Sequence, residues 1–322
     1  IALDKALQRS GIRINDPGNP GRIYFSGKGL AYPQRLTEAG GARLASLMEG
    51  TQEQVCQMIA KTNSWLVEAG LPFELSYAEV KSRYARELVR ERHIAKALRV
   101  AVMEAFVTEA GQREAFTRLF GGVAPASGVH HNADLENEIR ARLLKAGGKA
   151  FVAEEESAFL SLREAAEMIC KAGGIPCYPV LLDDKNGKCT EFENDALVLS
   201  RELLARGVYA IELIPGRNSL AALEPFVAHF SAQGFLITLG TEHNAPDMIP
   251  IRCDTRGNLP LTDFLNRVNY EGACVIAAHQ YLQAQGMEGY IDPLGKAKQA
   301  DRLLFVTLGN AVIRHFIEGN SF

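Results

Sequence analysis

The sequence predicts an α/β protein whose central strands form a parallel sheet. Two observations carry this. From Lys149 onward, short continuous apolar runs alternate with amphipathic patterns closed by glycine, the signature of strands covered on both faces by helices. Before that point, residues 34–146 hold no convincing strand and read as a run of helices.

Taken in order, residues 1–33 offer a short opening helix, a turn-rich stretch at 15–21 (Asn-Asp-Pro-Gly-Asn-Pro-Gly) and a strand at Arg22–Phe25. In the helical region the clearest helix is predicted to start at Thr51, with Gln54 in capping-box position. Its apolar stripe is Val55, Ile59, Thr62 and Leu66, and Gly70 stops it. A second stripe runs through Ile94, Leu98, Ala101 and Ala105. Ala150–Val152 reads as a short strand. Ser161 with Glu164 makes a capping box for a helix facing inward through Leu162, Ala165, Ala166 and Ile169, closed by Gly173-Gly174. Strands follow at 175–182, 209–214 and 235–240. The helices between them run through Phe192, Ala196, Leu199 and Leu203, then through Leu220, Leu223, Val227 and Phe230. Residues 261–322 read as helical, around 269–286 and 296–319.

Composition restricts the partners. With 35 basic and 38 acidic residues in 322, the net charge of -3 gives no electrostatic case for nucleic acid or an anionic membrane surface. The longest apolar runs fall short of the ~20 residues that span a bilayer. No signal peptide is read, and the six cysteines, with no Cys-x-x-Cys pair, are expected as reduced thiols in a cytoplasmic protein rather than as zinc ligands.

In a parallel α/β protein, chemistry collects where strands end. The strand at 175 carries Tyr178 and leads into Asp183-Asp184. The strand at 209 carries Glu212 and leads into Pro215-Gly216-Arg217-Asn218. The strand at 235 leads into Gly240-Thr241-Glu242-His243-Asn244. Carboxylate, imidazole and amide oxygen within three residues can ligate a cation or serve as acid and base; equally, they make a polar loop with a turn at Asn244.

The order of these segments resembles the PHP (polymerase and histidinol phosphatase) family, in its nucleotide-phosphatase-like branch. Leu160-Ser161-Leu162-Arg163-Glu164-Ala165-Ala166 leading into Ala172-Gly173-Gly174-Ile175-Pro176 is similar to that branch's helix ending in Gly-Gly. Cys177-Tyr178-Pro179 stands where the family has Ala-His-Pro, Ile211-Glu212-Leu213 where it has an Ile-Glu-Val-like strand, and Gly240–Asn244 where it has Gly-Ser-Asp-x-His. Upstream, the segment from Arg92 and His93 to Leu98 resembles the branch's Arg-x-His-Ile-Ala-Arg-Ala-Leu helix, and Lys149–Val152 its re-entry into the barrel. The likeness covers roughly residues 85–245. The departures fall on the metal ligands. Tyr178 replaces a histidine, Glu242 and Asn244 replace the Asp-x-His pair with His243 between them, and Tyr24 stands at another histidine position; the family's opening His-x-His would precede Ile1.

The resemblance implies a (β/α) TIM-type barrel from residues 1–33 and 147–260, a helical insertion or cap at 34–146 lying over the barrel mouth, and a C-terminal helical extension at 261–322. It implies a metal-dependent hydrolase acting on a phosphate ester of a small molecule. Glu242, His243, Arg217 and His93 are the catalytic candidates, and Lys28, Arg92, Tyr178 and Glu212 the ligand-binding ones. Glu242 and Asn244 remain as metal ligands, so any zinc, manganese, magnesium or iron site is expected to be incomplete, with fewer than three ions. Two alternatives stay open: a non-catalytic protein that keeps the pocket for an anionic ligand, and a metal-free enzyme using Glu242 and His243 for acid–base chemistry. Lesser candidates are the glycine-flanked Lys28 in Ser26-Gly27-Lys28-Gly29, which lacks Walker spacing, and His130-His131-Asn132, where helix capping accounts for the residues. His279 is predicted to be a satisfied buried histidine, and His229 and His315 have no assigned role.

Overall fold

The computed structural model describes residues 1–33, 36–183, 188–243, 250–292 and 294–319. In chain order come β1 (Ala2–Leu3), α1 (Lys5–Arg9), β2 (Arg22–Ile23), β3 (Ser26–Lys28) and five helices: α2 (Glu38–Glu68), α3 (Tyr77–Tyr84), α4 (Glu91–Ala105), α5 (Glu109–Leu119) and α6 (Asn132–Ile139). Then follow α7 (Leu162–Lys171), β4 (Ile175–Pro179), α8 (Ala196–Ala205), β5 (Ala210–Leu213), α9 (Leu220–Ala232) and β6 (Leu236–Leu239). A small hairpin, β7 (Asp254–Thr255) with β8 (Leu259–Pro260), precedes α10 (Asp263–Ala284) and α11 (Arg302–Ile317). Among the described residues two compact units result: 1–41 with 159–243 and 250–319, and 42–158.

The first unit is built on a four-stranded sheet in the order β3-β4-β5-β6. As the alternation predicts, β4, β5 and β6 are parallel neighbours, with Cys177 opposite Ala210 and Ala210 opposite Leu236. β3 runs antiparallel to β4, pairing Ser26 with Cys177. Among the described residues no strand pairs with the outer edge of β3 or of β6.

Side chains alternate across the strands. Tyr178, Ile211, Leu213, Ile237 and Leu239 point into one core with Leu199 and Leu203 of α8 and Leu223, Val227 and Phe230 of α9. Ile175, Cys177, Ala210 and Leu236 point into another with Val275 and Ala278 of α10 and Phe305 of α11. The C-terminal helices thus form one of the two layers on the sheet. Two glycines allow the close approach. A Cβ at Gly272 would overlap the Ile237 carbonyl oxygen of β6, and one at Gly309 of α11 would overlap the Cys274 carbonyl oxygen of α10.

The first strand of the parallel set ends earlier than its apolar run, which continues to Leu182. After Val180 donates to the Glu212 carbonyl, the amides of Leu181 and Leu182 turn to the Glu193 carboxylate instead of a neighbouring strand. Leu182 takes a left-handed φ of 60° in that turn. The capping box at Ser161 and Glu164 forms as expected, with Glu164 accepting from the Ser161 amide and Ser161 from the Glu164 amide.

The second unit is helical, and three details differ from expectation. Thr51 does not start a helix: α2 is continuous from Glu38, and the Thr51 hydroxyl donates back to the Met48 carbonyl while Gln54 reaches the Val152 carbonyl. A capping-box pattern is local, whereas the Ala, Leu, Arg and Glu before it sustain helix despite Gly40, Gly41 and Gly50. The predicted stripe is buried, with Met58 added to it. In α4 the buried face is Ile94, Ala95, Ala97, Leu98 and Val102, which leaves Ala101 half-buried and Ala105 exposed. Ala150–Val152 is not a strand, because its carbonyls accept from α2 side chains, Lys61 to Phe151 and Gln54 to Val152.

Candidate functional site

Three charged groups mark the sheet of the first unit. Glu212 projects from β5 on the face shared with Cys177. Ser26 donates to it at 2.8 Å, and Lys28 reaches from β3 across β4 to pair with its other oxygen. Both members of that pair are about three-quarters buried (27% and 28% exposed), so the lysine neutralises a carboxylate that the sheet would otherwise strand in a poor solvent. Beneath them burial pushes the Cys177 thiol far above its ordinary range, with the Glu212 charge adding to the effect, so this sulfur is no nucleophile.

The second group sits on the loops that follow β5 and β6. After β5, Pro215–Arg217 forms a single 3-10 turn, and Arg217 pairs with Glu242 from the loop after β6. This pair is the more open one, at 44% and 35% exposure. Next to Glu242, the Thr241 hydroxyl and the His243 Nε2 are 3.0 Å apart. In the third group, Asn218 is fully buried and holds the loops after β4 and β5 together. Its amide donates to the Leu181 carbonyl and to the Asp183 carboxylate, which also pairs with Arg256. The backbone closes the arrangement, since the Arg256 amide donates to the Asn218 carbonyl at 2.8 Å.

Tyr178 is not with Glu212. The pleat turns it to the opposite face, where it is 1% exposed and donates its hydroxyl to Glu193 at 2.8 Å. Burial, then the Glu193 charge and hydrogen bond, keep the phenol protonated far above its usual range. Glu193 itself is 2% exposed, and burial raises its carboxyl to about 7 against the opposing pull of the Tyr178 hydroxyl and the Leu181 and Leu182 amides. Sequence reading missed Glu193. A glutamate in Phe192-Glu193-Asn194 carries no pattern that separates it from a surface acid; only its contacts do.

The remaining candidates lie elsewhere. Asn244 is outside the described residues. Arg92 and His93 belong to the helical unit, where Arg92 is exposed and His93 Nδ1 accepts from the Arg90 amide, closing its own helix start. Burial, and then Arg92, Arg90 and Lys96, lower the His93 pKa below its ordinary value. The His130 and His131 rings lie near Glu109 and Asp134 on the surface, and His279 is buried as expected, with Nε2 on the Gly173 carbonyl and Nδ1 accepting from Tyr290. The helical unit also holds a cavity of about 320 Å³ between α3 and α4, floored by Val80, Ala97 and Ala101 and rimmed by Glu79, Glu104 and Arg83.

No family model matches the chain, and no curated protein does. Among solved structures, a candidate metal-dependent phosphoesterase from Bifidobacterium adolescentis aligns at 14% identity with a TM-score of 0.38, over 70% of this chain and 64% of that one. The chain spans less than two thirds of that protein, and a likeness this low carries no argument about activity.

The donor set of this chain speaks more directly. Among the described residues no three His, Cys, Asp or Glu side chains gather closely enough to hold an ion. Glu242, the expected metal ligand among the described residues, and Glu212, an expected ligand-binding group, each hold a basic side chain, and the Tyr178 phenol is protonated and turned away. The described residues therefore do not fit a divalent metal centre. No helix among them is long and apolar enough to cross a membrane.

Proposed function

We propose that this chain binds a small anionic molecule, of the phosphate-ester class, at the loops following β5 and β6. The observation that supports it is Arg217. It is a guanidinium on a turn anchored by buried Pro215 and Asn218, with its side chain nearly half exposed. Planar forked donors held on a fixed backbone suit phosphate and carboxylate oxygens, and little ordering remains to be done on binding. Arg256, whose amide donates to the Asn218 carbonyl and whose guanidinium is paired with Asp183, helps to hold that turn in place.

The second reading is metal-assisted hydrolysis of such an ester by a PHP-like barrel enzyme. What favours it is the order of the family-like segments along the sequence, from Arg92 to Glu242. In that reading Glu242 and Asn244 would hold metal, and His243, Arg217 and His93 would serve catalysis.

One experiment separates the two. Purified protein is analysed for bound metals and then assayed on a panel of phosphate esters with and without added Mn²⁺ or Zn²⁺, while binding of the same esters is titrated. Ester binding that Arg217→Ala abolishes, with no metal-stimulated turnover, supports the binding protein. Metal-stimulated turnover lost in Glu242→Gln supports the hydrolase. Absence of binding and turnover for every ester refutes both.

A further inference from the structure

We propose that Glu242 is an internal anion that occupies Arg217 until the ligand displaces it, so that binding at this site is self-competed. The inference rests on the anion-binding reading above and concerns how that same site is regulated.

The two acid–base pairs on the sheet differ in the way this requires. Lys28–Glu212 is held by a third group, Ser26, and only about a quarter of either side chain is exposed, so it is a fixture of the sheet. Arg217–Glu242 is more open on both sides. Among the described residues only Nη2 of the Arg217 fork is engaged, and by a single Glu242 oxygen. Among the described residues a monodentate pair leaves the other edge of the guanidinium without a protein acceptor. A phosphate or carboxylate that takes two N–H groups in parallel gains what Glu242 does not. Exposed one-to-one ion pairs are also weak enough for a ligand of ordinary affinity to open them.

The backbone supports exchange of partner rather than movement of the whole loop. Asn218, next to Arg217, is fully buried and tied to Leu181 and Asp183, and its carbonyl accepts from Arg256. Arg217 therefore stays in place whichever anion it holds. The part that yields is the Glu242 side chain.

A carboxylate acting as metal ligand and one acting as competitor respond in opposite directions to neutralisation. Removing a ligand weakens binding; removing a competitor strengthens it. Phenyl phosphate is titrated into wild type, Glu242→Gln, Glu242→Asp and Arg217→Lys, followed by the arginine Nε–H resonances, with folding of each variant checked by circular dichroism. Glu242→Gln is expected to bind about two- to fivefold tighter, the factor that an exposed ion pair can withhold. Glu242→Asp keeps the charge but is one methylene shorter, so it is also expected to bind tighter than wild type, by a smaller factor. Arg217→Lys is expected to bind at least about tenfold more weakly, because the fork is lost. If wild type binds and Glu242→Gln is no tighter, the self-competition is wrong while the anion site stands. If Glu242→Gln is tighter but Glu242→Asp equals wild type, the gain is a general charge effect and the proposal is again wrong. If none of the four proteins binds, the anion-binding reading itself fails.

Discussion

Replacing Glu193 with glutamine should remove a pH dependence that the wild-type sheet carries, and the size of the effect can be worked out. In the folded chain burial raises Glu193 from 4.5 to about 7. A folded value above the unfolded one means that the contribution is complete below about pH 4.5 and is lost as pH rises through about 7. At ~1.4 kcal/mol per pH unit, the loss is about 3 kcal/mol across that window. Glutamine keeps the shape. Its amide oxygen can replace the carboxylate oxygen that accepts from Leu181 and Leu182, while its NH₂ faces the Tyr178 hydroxyl, which can accept as well as donate. The variant should therefore fold, and its stability relative to wild type should rise by about 3 kcal/mol between pH 4.5 and 8. The probe must report on the sheet. The one tryptophan, Trp65, lies in α2 and reports on the helical unit, so hydrogen exchange of peptides covering β4 to β6 in urea is the suitable measurement. If the difference between the two proteins does not change with pH, Glu193 is charged throughout and the burial argument is wrong.

Further outcomes follow from other contacts. Burial lowers the pKa of His279 below 6.5, so its contribution to stability is complete above 6.5 and is lost as pH falls through the lower folded value, opposite in sign to Glu193. His279→Ala should cost about 2–4 kcal/mol in the same exchange experiment, because the Gly173 carbonyl and the Tyr290 amide lose their partner as the ring is removed. Gly309→Ala should destabilise the α10–α11 layer by roughly 1–3 kcal/mol, read as a lower melting temperature, since its methyl meets the Cys274 carbonyl. Gln52→Ala should lower the unfolding free energy read from the Trp65 fluorescence transition by about 1–3 kcal/mol, because Gln52 binds the Tyr77 hydroxyl and both the amide and the carbonyl of Val89. Val198→Ala, on the exposed side of α8, should leave both probes unchanged within about 0.5 kcal/mol.

What was legible in the sequence follows the physics of burial. The parallel trio β4, β5 and β6 announces itself because a strand covered on both faces must be apolar at every position. Helix ends with a cap and a glycine, such as Ser161 and Gly173, are local and so were readable. Signals that depend on distant partners were not. The apolar run to Leu182 gave no sign that its last amides would turn to Glu193. Ala150–Val152 looked like a strand because its residues suit one, yet Lys61 and Gln54, about a hundred residues upstream, hold its carbonyls in a loop.

The site separates residue type from residue availability in the same way. Tyr178, Glu212 and Glu242 are polar groups at or near strand ends, but type alone does not say which side of the pleat a residue takes. Tyr178 lies one position from Cys177 and so faces away from it, whereas Glu212, opposite Pro179 in the ladder, shares the Cys177 face. Nor does type say what the charge already holds. A carboxylate on a sheet face must be compensated, and either a metal ion or a basic side chain can do it. Here Lys28 lies close enough, through the antiparallel pairing of β3 with β4, to reach Glu212, and the turn after β5 places Arg217 against Glu242. Once a guanidinium or ammonium fills that role, a divalent ion would have to expel a like charge before binding. Lys28 on Glu212 and Arg217 on Glu242 are the compensation that two carboxylates at the ends of a sheet require, supplied by the chain itself.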